Sequence, residues 1–133
     1  ASDGTVYATE SFENRIHRLR PGATALDVWI EDDEQLAAID GIAILADGAV
    51  YVNTFFAGQL FRIPVNPDGS AGALVTLETS LPFERPDGLR SVGPQTMLQA
   101  EGTAEDKMEW VSVNRRAVAA LTLITSQALS NAP

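Results

Sequence analysis

Two aspartates recur in the same local pattern, each followed by a glycine and an aliphatic residue. Asp40 is the first residue of the segment 40–42 (Asp-Gly-Ile), and Asp87 is the first residue of 87–89 (Asp-Gly-Leu), 47 residues later. The chain has no cysteine and one histidine, which excludes thiolate metal sites and a multi-histidine zinc site. A metal bound here would have oxygen ligands, which favours a hard cation such as calcium or magnesium. The alternative is that each aspartate only caps its own backbone turn, as aspartate before glycine commonly does.

The composition excludes two classes of partner. Of the 133 residues, 45% are apolar and 20% charged, the profile of a soluble globular protein with one ordinary domain. No apolar run approaches the ~20 residues of a membrane helix, so we expect no membrane partner. The net charge of −9 argues against nucleic acid, because phosphate binding relies on clustered lysine and arginine. The first residues lack a signal-peptide pattern, but a mature secreted protein would look the same, so the compartment stays open.

An internal repeat predicts the fold. Four short strand-like elements recur with a period of about 47 residues. They are 39–44 and 86–91; then 3–9, 47–53 and 94–100; then 15–19, 59–63 and 107–111; then 25–30, 73–78 and 120–125. A four-stranded unit of this length is typical of a β-propeller blade. The segment 66–70 (Asn-Pro-Asp-Gly-Ser) has the turn chemistry that such a unit needs between strands.

We therefore predict an all-β fold made of antiparallel four-stranded propeller blades, about three of them, or half of a six-bladed propeller. The residues 1–133 form a single partial domain, in which the first blade (1–38) lacks its inner strand and the second (39–85) and third (86–133) are complete. Trp29 and Trp110 are predicted to pack between blades. Because blades bury their faces against neighbours, the sequence predicts either a piece of a longer chain or a homodimer that completes a six-bladed ring.

The quoted segments resemble a known family. The segment 39–53 and the Arg-Pro-Asp-Gly-Leu segment 85–89 resemble a blade of the SMP-30/gluconolactonase/LRE-like family. The residues 4–10 and 14–19 of the first blade are also similar to an NHL repeat. The resemblance to the first family implies a six-bladed propeller with one divalent cation, often calcium, in its central channel, and an activity that hydrolyses lactones.

The resemblance also implies roles for individual residues. Asp87 matches a metal ligand of the family, and Asp40 occupies the equivalent position one blade earlier, so both are candidate ligands and Asp87 is the candidate catalytic residue. Equal phase at the start of inner strands puts both carboxylates at the same mouth of the channel. Arg85 and Arg90 flank Asp87 and could bind an anionic group of the substrate, with ion pairs inside the blade as the alternative. The family's glutamate ligand near the N-terminus has no counterpart in this chain.

Three functions follow from these observations. The first is a divalent-metal-dependent hydrolase of the lactonase or esterase type, with calcium as cofactor and a small lactone or ester as substrate. The second is a non-catalytic NHL-like scaffold that binds a protein or ligand, which predicts no cation and Asp-Gly pairs that are hydrogen-bonded to their own turns. The third is a chain that has no activity by itself.

Overall fold

The computed structural model of the chain describes residues 1–102, 107–114 and 118–125, the last range as backbone only. These residues form eleven strands and no helix. The strands are β1 (Val6–Glu10), β2 (Arg15–Leu19), β3 (Asp27–Glu31), β4 (Ile39–Ile44), β5 (Val50–Thr54), β6 (Gln59–Ile63), β7 (Val75–Leu77), β8 (Pro86–Gly93), β9 (Thr96–Glu101), β10 (Lys107–Val113) and β11 (Val118–Thr125). The predicted all-β fold is confirmed.

The strands form three antiparallel sheets in chain order. The first sheet is β1-β2-β3, the second is β4-β5-β6-β7 and the third is β8-β9-β10-β11. The first strands of the second and third sheets, β4 and β8, contact each other, and β1 contacts β4. We call β4 and β8 the inner strands. The predicted end of the third blade at residue 133 lies outside the described residues.

Two hydrophobic cores hold the sheets together, one between each neighbouring pair. Strand β5 shows why, because its side chains alternate between the two cores. Val50 and Val52 pack with residues of the first sheet, such as Ile16 and Trp29. Tyr51 packs towards the third sheet, with Met97, Val111 and others. A strand that is buried on both faces in this way carries apolar residues at successive positions.

The predicted packing of the two tryptophans is right for one of them. Trp29 is buried between the first and second sheets, and its indole Nε1 donates to the carbonyl oxygen of Gly69 at 2.9 Å. That carbonyl belongs to the turn 66–70, in which Gly69 has a φ of 80° and its amide bonds the carbonyl of Asn66 at 2.8 Å. Trp110 is 41% exposed, because its face of the third sheet has no described sheet against it.

Candidate metal site at the mouth of the inner strands

The candidate ligands lie in two equivalent β-bulges. Ile39 pairs with Thr54 and Ile42 with Val52, so the residues 40–41 lie opposite the single residue Asn53. In the third sheet, Pro86 pairs with Glu101 and Leu89 with Gln99, so 87–88 lie opposite Ala100. A bulge of two residues against one bends the strand and redirects its side chains. The repeat thus places the two Asp-Gly pairs at the same end of neighbouring inner strands, and we call this end the mouth.

Side chains from the preceding sheets hold both aspartate carbonyls. The Thr9 hydroxyl donates to the carbonyl oxygen of Asp40 at 2.6 Å. The Asn53 amide Nδ2 donates to the carbonyl oxygen of Asp87 at 2.8 Å. The Asn53 Oδ1 also accepts from the backbone amide of Gly41 at 2.7 Å, so this fully buried side chain links the two bulges. The backbone of both candidate ligands is therefore fixed by the same kind of contact between sheets.

Gly41 allows the two inner strands to approach. A Cβ at this position would lie 2.4 Å from the carbonyl oxygen of Asp87 and 2.7 Å from the Cβ of Leu89. At the equivalent Gly88, a Cβ would have no heavy atom within 4 Å. Neither glycine has a positive φ. Gly41 is therefore required by space and not by backbone conformation, because the carbonyl of Asp87 lies against it, whereas no described atom lies where a Cβ of residue 88 would be.

Two electrostatic properties distinguish the pair of aspartates. Burial and, secondly, the negative charge of Asp87 raise the pKa of the Asp40 carboxyl. The two carboxylates are thus close enough to interact, although Asp40 is half-buried and Asp87 is exposed. Among the described residues, neither carboxylate accepts a hydrogen bond or forms an ion pair.

The other Asp-Gly pairs of the chain behave differently. Asp3, Asp47 and Asp68 also precede glycines, and each accepts a hydrogen bond from the backbone amide two residues later, at 2.9 to 3.1 Å. In each case a backbone hydrogen bond of this kind helps to lower the pKa of the aspartate. The glycines that follow have φ values of 89°, 75° and 80°, as in tight turns. Turn capping therefore accounts for three of the five Asp-Gly pairs and leaves Asp40 and Asp87 with unbonded carboxylates.

The two candidate substrate-binding arginines are exposed, and neither forms an ion pair with a described residue. Arg85 has a φ of 54°, the same value as Ala38 at the equivalent position, and its carbonyl accepts from the Gly102 amide at 3.0 Å. Its backbone therefore shapes the approach to the mouth, while its side chain has no ion-pair partner in the described part of the chain. Arg90 pairs with Leu98, on the face of the third sheet that points away from the second sheet.

Sequence reasoning missed a row of polar side chains between the second and third sheets. Asn53, Gln99, Glu101 and Glu109 are all at most 2% exposed. The Asn53 amide donates to Gln99 Oε1 at 3.1 Å, and Gln99 Nε2 donates to Glu109 Oε2 at 3.4 Å. The available signal was alternation, because Gln99 and Glu101 lie on the same face of β9 as the buried Met97.

A large cleft lies at the opposite end of the inner strands. It has a volume of about 720 Å³ and is lined by Tyr51, Asp47 and Arg62 together with apolar residues such as Leu77. Its charged groups and the Tyr51 hydroxyl are already paired, because Asp47 Oδ2 accepts from the Tyr51 hydroxyl and from Arg62 Nε, both at 2.9 Å. The mouth offers unbonded carboxylates and the cleft does not, so the mouth is the better candidate for a cation.

The donor set at the mouth is small. Within the ranges that the structure describes, no group of three or more acidic or histidine side chains is placed to hold a metal ion. A cation bound by Asp40 and Asp87 would therefore need further oxygen ligands. The same described part of the chain contains no helix that is long and apolar enough to cross a membrane.

Comparison with solved structures supports the fold. Virginiamycin B lyase from Staphylococcus aureus matches with 16% identity and a TM-score of 0.66, over 92% of this chain and 39% of that one. A streptogramin B lyase matches with 13% identity and a TM-score of 0.69, over 95% and 39%. A catalytically inactive histidine-to-alanine variant of the S. aureus enzyme with quinupristin matches with 17% identity and a TM-score of 0.64, over 90% and 38%.

These likenesses establish the β-propeller fold and no more, because the identities are low. The chain spans about two fifths of the length of each of these enzymes. No protein-family model matches the sequence, and no curated protein matches it.

Proposed function

We propose that Asp40 and Asp87 bind a divalent cation, calcium in the first place, and that the chain belongs to a propeller hydrolase acting on a lactone or ester. One observation carries the proposal: of five Asp-Gly pairs, the two on the inner strands keep carboxylates that are not bonded to their own turns. Like charges held close together raise the free energy of the empty site. A cation between them would remove that repulsion.

The chemistry of the two carboxylates fits a hard cation. Calcium takes six to eight oxygen ligands at about 2.3–2.6 Å, from carboxylates, carbonyls and water. Two carboxylates supply part of that set, and water, substrate or further blades would supply the rest. When bound, such a cation lowers the pKa of a bound water and polarises a carbonyl group. The exposed carboxylate of Asp87 is the group of this chain that could accept a proton beside it.

The arginines are the second part of the proposal. Arg85 precedes the Pro-Asp-Gly segment directly, and its exposed guanidinium has no described acidic partner. We propose that Arg85 binds an anionic group of the substrate at the mouth. The same role for Arg90 requires a substrate that extends over the outer face of the third sheet.

The reaction of the solved lyases is kept apart from this proposal, because the chain spans only about two fifths of their length. The inactive variant of virginiamycin B lyase has lost a histidine. In this chain the single histidine, His17, lies on β2 with its Nε2 2.6 Å from Glu10 Oε2, in the first sheet and away from the inner strands. We therefore draw no part of the proposal from the streptogramin lyase reaction.

Calorimetric titration of the chain with calcium tests the proposal. We expect Asp87→Asn and Asp40→Asn to weaken calcium binding at least tenfold, because each removes a charged ligand. The control is Asp33→Asn, which makes the same change in net charge at an exposed loop residue and should bind like the wild type. Equal binding by all four proteins would remove the site from the mouth. If the wild type binds calcium, a screen of lactones follows. Arg85→Ala is then expected to raise KM for anionic substrates.

A non-catalytic scaffold is the second candidate. It is favoured by the small donor set, since the described residues supply only two close carboxylates. If a folded chain binds neither calcium nor magnesium at millimolar concentration, the scaffold becomes the better assignment.

We also propose that a second copy of the chain covers the exposed face of the third sheet. Val92 and Trp110 are 44% and 41% exposed on that sheet, and Val6 and Val28 are 54% and 46% exposed on the first sheet. Gly88 leaves room beside this face for a close strand, as Gly41 does between the described sheets. Two copies joined through these faces would supply six sheets, the number of a six-bladed ring.

Sedimentation analysis distinguishes this dimer from a monomer. Trp110→Glu should shift the chain from dimer to monomer, because it buries a charge in the joined face. Phe56→Glu is the matched control, since Phe56 is 81% exposed in a loop outside these faces and should leave the dimer intact. A wild-type chain that sediments as a folded monomer at high concentration would overturn the proposal.

A further inference from the structure

A pair of buried carboxyl groups lies behind the mouth, and none of the functions above uses it. Glu101 on β9 and Glu109 on β10 point to the same face, towards the second sheet, and each is 2% exposed. In the register of these strands, Glu101 is opposite Lys107 and Glu109 is opposite Gln99. The two glutamates are therefore diagonal neighbours, close enough for their side chains to meet.

The contacts of Glu101 leave part of its charge without a partner. Its Oε1 accepts from the backbone amide of Glu84 at 2.9 Å. Its Oε2 is fully buried and accepts no hydrogen bond from any described residue. The nearest described cation is Lys107, whose Nζ is 3.8 Å from that oxygen and 3.3 Å from Glu84 Oε2. One ammonium group thus faces three carboxyl groups, two of them buried.

Glu109 has still fewer partners when it is ionised. Its Oε2 accepts from Gln99 Nε2 at 3.4 Å, a long hydrogen bond. Burial first, and then the negative charge of Glu101, raise the pKa of Glu109 to about 7, while Lys107 lowers it. When Glu109 is protonated, its hydroxyl can donate a hydrogen bond to Glu101. The bound proton then removes one negative charge from the pair and gives a buried oxygen of Glu101 a partner.

Among the residues that the structure describes, no second cation faces the pair to replace the proton. The charged groups that face the pair are Glu84 from the segment before β8, and Lys107 beside Glu109 on β10. From β5 the neighbour is Asn53, which is neutral and bonds Gln99. Residues 103–106, between the two strands, lie outside the described ranges.

We propose that Glu101 and Glu109 share one bound proton that holds the second and third sheets together at the mouth, and that loss of this proton loosens their contact. With both groups ionised, two buried negative charges repel each other below the Asn53–Gln99 hydrogen bond. Buried like charges are relieved by local opening, which lets water reach them. Binding and loss of this proton thus control the contact between the second and third sheets.

The direction of the pH effect follows from the raised pKa of Glu109. Its ordinary value is 4.5 and its value in the fold is about 7, so the fold binds the proton more tightly than the unfolded chain does. The stabilising effect is complete below pH 4.5 and is lost as the pH rises through 7. One proton changes the unfolding equilibrium constant by at most about tenfold per pH unit in that window.

Urea unfolding of the full chain between pH 5 and 8, without divalent cations, tests the switch. We expect wild-type stability to fall from pH 5 to 7, and Glu109→Gln to flatten this decline and to exceed the wild type in stability at pH 8. Glu34→Gln, the same charge change at an exposed residue, should keep the wild-type profile. Asp40→Asn separates the contribution of the other carboxyl whose pKa is raised.

A second measurement decides the matter if the Glu109→Gln chain does not fold. The carboxyl carbon of Glu109 in the wild-type chain can be followed by NMR as the pH is changed. A midpoint near 7 supports the shared proton. A midpoint near 4.5, or a Glu109→Gln chain with the pH profile of the wild type, overturns the proposal.

Discussion

Gly41 and Gly88 hold equivalent positions in two bulges, but among the described residues only Gly41 has the backbone of another inner strand where a Cβ would lie. Gly41→Ala would place a Cβ 2.4 Å from the carbonyl oxygen of Asp87, where ordinary contact begins at 3.4 Å. The inner strands would have to separate by about 1 Å, because the opposing atoms are backbone and cannot rotate away. Gly88→Ala meets no atom within 4 Å. The two variants thus make the same chemical change with and without a steric conflict.

The expected cost of Gly41→Ala has two parts. Overpacking against backbone costs about 1–3 kcal/mol. Separation of the strands also lengthens the bond of Asn53 to Asp87, now 2.8 Å, and a lost hydrogen bond costs about 1 kcal/mol. Against this, alanine restricts the unfolded chain and returns about 0.4–1 kcal/mol. We expect a net destabilisation of about 1–4 kcal/mol for Gly41→Ala, after the effect of alanine on the unfolded chain is subtracted.

Urea unfolding at fixed pH measures the difference between the two variants. Gly88→Ala should match the wild type or exceed it by up to about 1 kcal/mol, because only the effect on the unfolded chain remains. Equal stability of the two variants would refute the close approach of β4 and β8 at the mouth. If Gly88→Ala instead weakens a dimer without changing monomer stability, the space beside Gly88 is occupied in the dimer.

Three further predictions concern single contacts. Asp40→Asn should stabilise the cation-free chain by less than about 1 kcal/mol at pH 7, as urea unfolding will show, because it removes like-charge repulsion; destabilisation would mean that the carboxylate has a favourable partner. Tyr51→Phe should remove the latest phenol ionisation from an absorbance titration, since burial raises the pKa of Tyr51 to about 12, and an unchanged curve near that pH would be inconsistent with this. Arg18→Ala should lower the free energy of unfolding by about 1–3 kcal/mol in thermal unfolding, because this buried guanidinium bonds Asp27. Arg20→Ala, which removes the exposed partner of the same carboxylate, should lower it far less. Similar losses in the two variants would contradict the role of burial.

The fold could be predicted because its signals are local and repeated. Turn chemistry such as that of 66–70 and the recurring apolar strands leave few alternatives for the chain. The position of Asp40 and Asp87 at one end of two inner strands followed from the same period. The bulges around them did not, because a bulge adds one residue without any composition of its own beyond a glycine.

The buried polar row was missed for a different physical reason. Asn53 ends an apolar run, and Gln99 and Glu101 alternate with apolar residues on β9. A polar residue at an inward position looks the same in sequence as a strand shifted by one residue, which would turn it to solvent. Only the contacts with the neighbouring sheet distinguish these two cases, and the sequence does not specify which residues meet there.

The position of that polar row explains why it is tolerated. Along β9 the interface changes from Met97 to Gln99 to Glu101 as the strand approaches the mouth. Well-packed apolar residues could replace such groups without loss of stability, so burial alone does not account for them. The row begins at Asn53, which holds the carbonyl of Asp87, and ends at the carboxyl pair of Glu101 and Glu109. The backbone of the candidate ligand and the proton-binding pair are thus two ends of one chain of hydrogen bonds, and a polar interface is the only kind that could join them.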